Sequence, residues 1–167
     1  MHSVLTYHSQ NIAGHDTADN DHVAFAQDLE ALHAAGARIA PLSGLPDVLE
    51  ADASPGRGPV VYLTLDDGCD FDARDIEWPG LGLQRSMLGI MRDFERRHGR
   101  DAQPGLHATS FVIASPEARE VIDRKSLFGR GWMSEDWWAE ADRLLSVANH
   151  GWDHNHPDLA NGADGPR

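Results

Sequence analysis

Hydrophobic and polar positions alternate along this chain in two distinct rhythms. Val60-Val61-Tyr62-Leu63-Thr64-Leu65 is an unbroken run of apolar and β-branched residues. Such a run reads as a strand buried on both faces, the kind found in a parallel sheet. Residues 108–113 repeat the pattern, and residues 4–7 and 146–149 give shorter strand candidates, with a minor one at 38–41. Between them the apolar positions fall at helical spacing. Phe25, Leu29 and Leu32 predict a helix from an Asp21 cap through about residue 35, stopped by Gly36. Leu83, Met87, Ile90, Met91 and Phe94 predict a second helix over 83–98, ending at Gly99. Shorter helices are expected at 45–50, at 116–123 with Pro116 in the first turn, and from a Ser134 cap to about residue 145. Proline and glycine mark 51–59 as a loop, and the acidic stretch 69–82 reads as a long surface loop.

Strands that alternate with helices predict an α/β fold with a parallel sheet and right-handed crossovers. The 167 residues are expected to form a single domain. In parallel α/β folds, functional groups gather just beyond the C-terminal ends of strands. His8, the pair Asp66-Asp67, and His150 all fall there, after three different strands.

Composition narrows the functional classes. The formal net charge of −13 argues against a sequence-nonspecific nucleic-acid binder, because the phosphate backbone would be repelled. Cys69 is the only cysteine, which excludes an intramolecular disulfide and a cysteine-built zinc cluster. No apolar stretch approaches the roughly 20 residues of a membrane span. No signal peptide is visible at the N-terminus, so a cytoplasmic location is expected for the chain as given, a secreted parent being the alternative.

The chemistry-bearing residues gain meaning as a set. Asp66 and Asp67 lie where a buried run meets a turn at Gly68, so they face either solvent or a cation. His150 and His154 follow the last apolar segment. Two imidazoles and one carboxylate make the three-ligand set of a catalytic zinc centre with an open position. The other carboxylate could then remove a proton from water. The same ligands suit Co2+, Mn2+ or Fe2+. Trp152 lies between the two histidines and either lines a substrate pocket or packs. His8 either supports the metal carboxylate from a second layer or is solvated. Trp137 and Trp138 read as core residues, and Cys69 as a buried small hydrophobe.

Thr64-Leu65-Asp66-Asp67-Gly68 resembles the Thr-Phe-Asp-Asp-Gly signature of the polysaccharide deacetylases, and His150-Gly151-Trp152-Asp153-His154 resembles their His-(Ser/Thr)-x-x-His motif. Leu5-Thr6-Tyr7-His8 and Ala108-Thr109-Ser110-Phe111-Val112 are similar to other recurring segments of that family. The resemblance implies a distorted (β/α) barrel and metal-dependent removal of acetyl groups from an N- or O-acetylated carbohydrate. It implies Asp66 as general base and Asp67, His150 and His154 as ligands of a divalent metal, Zn2+ first. Attack by metal-activated water on the acetyl carbonyl is the expected chemistry. The family's later motifs, including a Leu-x-His segment that supplies the catalytic acid, are not visible before Arg167; His156 and His8 do not match it. The chain therefore resembles the N-terminal part of the domain. The competing expectations are a hydrolase of a small non-sugar amide and a non-catalytic metal- or carbohydrate-binding remnant.

Overall fold

A computed structural model describes residues 1–50 and 58–154. Most of the expected loop at 51–59, and His156, lie outside the described residues. The strands β1 (His2–Tyr7), β2 (Arg38–Ile39), β3 (Val60–Leu65), β6 (Ala108–Val112) and β7 (Leu145–Asn149) form one parallel sheet. Its path runs β1-β3-β6-β7, with β2 paired to the start of β3 on the side that β6 takes farther along. Every residue of β3 is buried, as its unbroken apolar run requires. Among the described residues the path does not close on itself. The architecture is thus α/β with a mainly parallel sheet.

Two long helices cover much of the core. Helix α1 (Asp21–Ala34) is capped one residue earlier than the pattern predicts. Asn20 Oδ1 accepts from the His22 amide at 2.9 Å and the Val23 amide at 3.4 Å. The Asp21 carboxylate instead accepts from the backbone amide of His8 at 2.7 Å, tying the end of β1 to this helix. After the short helix α2 (Leu45–Glu50), helix α3 (Met87–His98) packs on α1. Phe25 and Leu29 of α1 join Met87, Met91 and Phe94 of α3 and Leu63 and Leu65 of β3 in the main core. Leu83, expected to open α3, belongs to a strand and is exposed.

The stretch read as a surface loop is the largest correction. Asp70–Asp72 form a buried turn, and β4 (Ile76–Trp78) pairs antiparallel with β5 (Gly82–Gln84). Phe71 is fully buried and packs edge-on against Trp78 and Trp132. These residues join Ile12, Cys69, Ile113, Leu127 and Met133 in a second apolar cluster, drawn from segments that follow β1, β3 and β6. Acidity does not expose this stretch, because Asp70 and Asp72 turn inward to serine partners rather than to water. Helix α4 (Pro116–Ser126) begins at Ser115, whose hydroxyl accepts from the Ala118 amide. The helix expected after Ser134 is only a tight turn at Asp136–Glu140; it buries Trp137 completely, while Trp138 lies under the Arg119 guanidinium.

Gly68 locks the turn after β3 against β6. Its φ is +71°, and a Cβ there would stand 2.4 Å from Val112 Cγ1 and 2.7 Å from Val112 Cα. Substituting alanine therefore adds both a left-handed strain and an overlap. Gly68→Ala should lose about 2–4 kcal/mol of unfolding free energy in urea titration; a loss near zero would show that the turn can move away from β6.

Candidate metal and active site

Three segments beyond the strand ends build the site. The turn after β3 presents Asp67, which adopts a φ of +72° immediately before Gly68. Non-glycine residues hold this conformation at a cost, and it is found where the surroundings over-determine it. The segment after β7 is stitched to that after β6 by a run of backbone bonds. His150 N donates to Val112 O at 2.9 Å, Ala114 N to Gly151 O at 3.0 Å, and Ser115 N to Trp152 O at 2.6 Å. Gly151, with φ +109°, bends the chain between His150 and His154. The third segment, after β1, brings Ser9 and Gln10.

These turns place His150 Nε2 at 3.5 Å and His154 Nε2 at 3.4 Å from Asp67 Oδ1. One ligand atom from each of the three residues lies within 4.8 Å of the others. Asp67 Oδ1 is buried and has no hydrogen-bond partner among the described residues. An unpaired buried carboxylate oxygen is costly unless something positive faces it. For ligand bonds of about 2.0–2.1 Å at a tetrahedral angle, two donor atoms stand about 3.3–3.4 Å apart. The observed separations fit that spacing, and the donor set of two imidazoles and a carboxylate fits zinc and its neighbours. The three residues can therefore hold a divalent cation.

Of the remaining predicted residues, Asp66 is half-buried, and its backbone amide donates to Tyr7 O at 2.9 Å. Its carboxylate has no hydrogen-bond partner among the described residues. His8 is anchored through its backbone, its amide donating to Asp21 and its carbonyl accepting from Asn11 N at 2.8 Å; its ring makes no described contact with Asp67. Trp152 is 66% exposed. With Ala118, Val121 and Ile122 of α4 and with His154, it lines a cavity of about 350 Å³ beside the candidate ligands.

The sequence did not single out the polar residues behind Asp67. Gln10 Nε2 donates to Asp67 Oδ2 at 2.5 Å. Cys69, fully buried, stands 2.9 Å from Ser9 Oγ, and its thiol donates to Gln10 Oε1 at 3.9 Å. The Ser9 hydroxyl donates to Asp72 Oδ1, and the Ser110 hydroxyl to Asp72 Oδ2 at 2.5 Å. His22 Nε2 lies 2.7 Å from the Ser9 carbonyl. Burial lowers the His22 pKa, although its carbonyl neighbours pull the other way. Burial lifts the Cys69 thiol well above its usual range, so it is a packed thiol rather than a nucleophile. Only the contacts reveal this group, since residues 9, 10, 69, 72 and 110 form no motif.

No model of a known protein family matches the chain, and no curated protein matches it. Among solved structures it is similar to a Streptococcus pyogenes deacetylase, PplD, in complex with acetate. The TM-score is 0.50 at 20% sequence identity, over 96% of this chain and 59% of that one. This chain thus spans less than two thirds of that protein's length, and at this identity the likeness is one of fold. Among the described residues no helix is long and apolar enough to cross a membrane.

Asp72 gives the site region a testable pH signature. Burial, opposed by the two serine hydroxyls, raises its carboxyl from 3.8 to about 7. The folded chain therefore keeps a proton that the unfolded chain releases near its ordinary value. Protonation favours the fold, and this contribution is whole at low pH and is lost as pH rises from about 4 to about 7. In thermal unfolding across that range, Asp72→Asn should gain steadily on the wild type and level off above it. A difference that does not vary with pH would contradict the assignment.

Proposed function

We propose that the chain is the metal-binding part of a deacetylase-type hydrolase that removes acetyl groups from an N- or O-acetylated carbohydrate. The observation that carries this reading is the buried Asp67 Oδ1, without a donor among the described residues, facing two imidazole nitrogens at 3.4 and 3.5 Å. The fold likeness to a deacetylase and the two motif resemblances agree with it. In the same reading the chain belongs to one domain, a distorted (β/α) barrel that includes the described sheet.

Asp67, His150 and His154 would hold the divalent cation, with Zn2+ as the first choice and Co2+, Mn2+ or Fe2+ as alternatives. When bound, such an ion acidifies water and polarises a carbonyl oxygen. Asp66, the neighbour of a ligand with a carboxylate free of partners among the described residues, would take the proton from the attacking water. Trp152 would offer an aromatic face to a sugar ring at the mouth of the adjoining cavity. The acetyl group fits the chemistry because its carbonyl is the only electrophile such a site needs.

Acetate release from an acetylated chitooligosaccharide, measured with added zinc or cobalt, tests this reading. Turnover should vanish with a chelator and return with metal. Asp66→Asn should cut kcat by about 10²–10⁴-fold while metal binding persists. His150→Ala should abolish metal binding and turnover together. Release of acetate that survives chelation, or an Asp66→Asn variant as active as the wild type, would overturn the assignment of roles.

A further inference from the structure

We propose that Gln10 is the positioning residue that decides how Asp67 meets a cation, and this inference rests on the metal-binding reading above. A carboxylate can ligate through one oxygen or both. Here the two oxygens are already divided. Oδ2 accepts the Gln10 amide at 2.5 Å, and Oδ1 is buried toward the two imidazoles without a donor among the described residues. The Gln10 bond to Oδ2 favours Oδ1 as the donor atom and fixes the rotation of the carboxylate about its own axis.

Gln10 can do this only if its own amide is oriented, and the buried group behind it supplies that. The amide nitrogen must face Asp67, because the opposite orientation would set the amide oxygen against an acceptor-only carboxylate. The amide oxygen then faces the Cys69 thiol, which can donate to it. The Cys69 sulfur stands 2.9 Å from Ser9 Oγ, whose proton points to Asp72. Ser110 holds the other oxygen of Asp72 at 2.5 Å. The backbone on either side is also fixed: the Ser9 carbonyl faces His22 Nε2 at 2.7 Å, and Gln10 O accepts from Ile12 N at 2.9 Å. Buried contacts thus back Gln10 from the core, and its amide holds the oxygen that is not offered to the metal. Partners of this kind, which orient a ligand without touching the ion, commonly govern affinity.

The test compares the wild type with Gln10→Met, which keeps the side chain's length and removes the donor. Competition against a chromophoric chelator should show Zn2+ affinity about 10–100-fold weaker in the variant. The visible spectrum of the Co2+ form should change in band position or intensity, while far-UV circular dichroism stays as in the wild type. If Gln10→Met does not fold, Gln10→Leu provides the same comparison. A variant that binds Zn2+ within about twofold of the wild type, against the 10–100-fold loss usual for such partners, and gives the same cobalt spectrum overturns the positioning role. A wild-type chain that binds neither ion overturns the metal reading itself, and this inference with it.

Discussion

The divided carboxylate of Asp67 is the constraint on which the rest of the site depends. One oxygen is tied to Gln10, and the other is buried without a hydrogen bond among the described residues. Leaving a buried acceptor unpaired costs about 1–3 kcal/mol, and more when it is charged. The left-handed backbone at Asp67 costs about another 1–3 kcal/mol. Set against a typical domain stability of about 5–15 kcal/mol, this is a large local expense. It persists because Gly68 wedges beneath Val112 and leaves the turn nowhere else to go. A cation at Oδ1 would remove the larger part of the penalty, which is why an otherwise unfavourable arrangement reads as a binding site.

The second apolar cluster explains how the turn is supported. Cys69 and Phe71 follow Asp67 directly into this cluster, where Phe71 meets Trp78 and Trp132. The acidic residues of the same stretch go inward with them: Asp70 accepts from the Ser134 backbone amide and hydroxyl, and Asp72 from Ser9 and Ser110. The cluster therefore fixes Asp67 from below, while the backbone bonds between the segments after β6 and β7 carry His150 and His154 to it from the side.

Much of the fold was legible because burial on both faces leaves a plain mark. The apolar run of β3, the strands β6 and β7, and the helical spacing of Phe25 and Leu29 all reappear as core. Acidic residues were read as solvent-facing, and that rule fails wherever hydroxyl donors wait in the interior, as at Asp72. Trp137 was legible as core but not as part of a tight turn, since a single large side chain signals burial without fixing the backbone. At the site, Asp67, His150 and His154 come together as their positions beyond strand ends suggested, whereas the His8 ring makes no described contact with them. Gln10 was invisible for a physical reason. It lies 57 residues from Asp67, and its role exists only once β1 and β3 lie side by side.

The proposed metal site joins Asp67 Oδ1, His150 Nε2 and His154 Nε2 around one cation. Anomalous diffraction from crystals soaked in a zinc salt tests it most directly. A single strong peak about 2.0–2.2 Å from all three atoms, with Asp67 Oδ2 still on Gln10, is the expected result. A peak elsewhere, or none at saturating zinc with the three side chains unmoved, would contradict it.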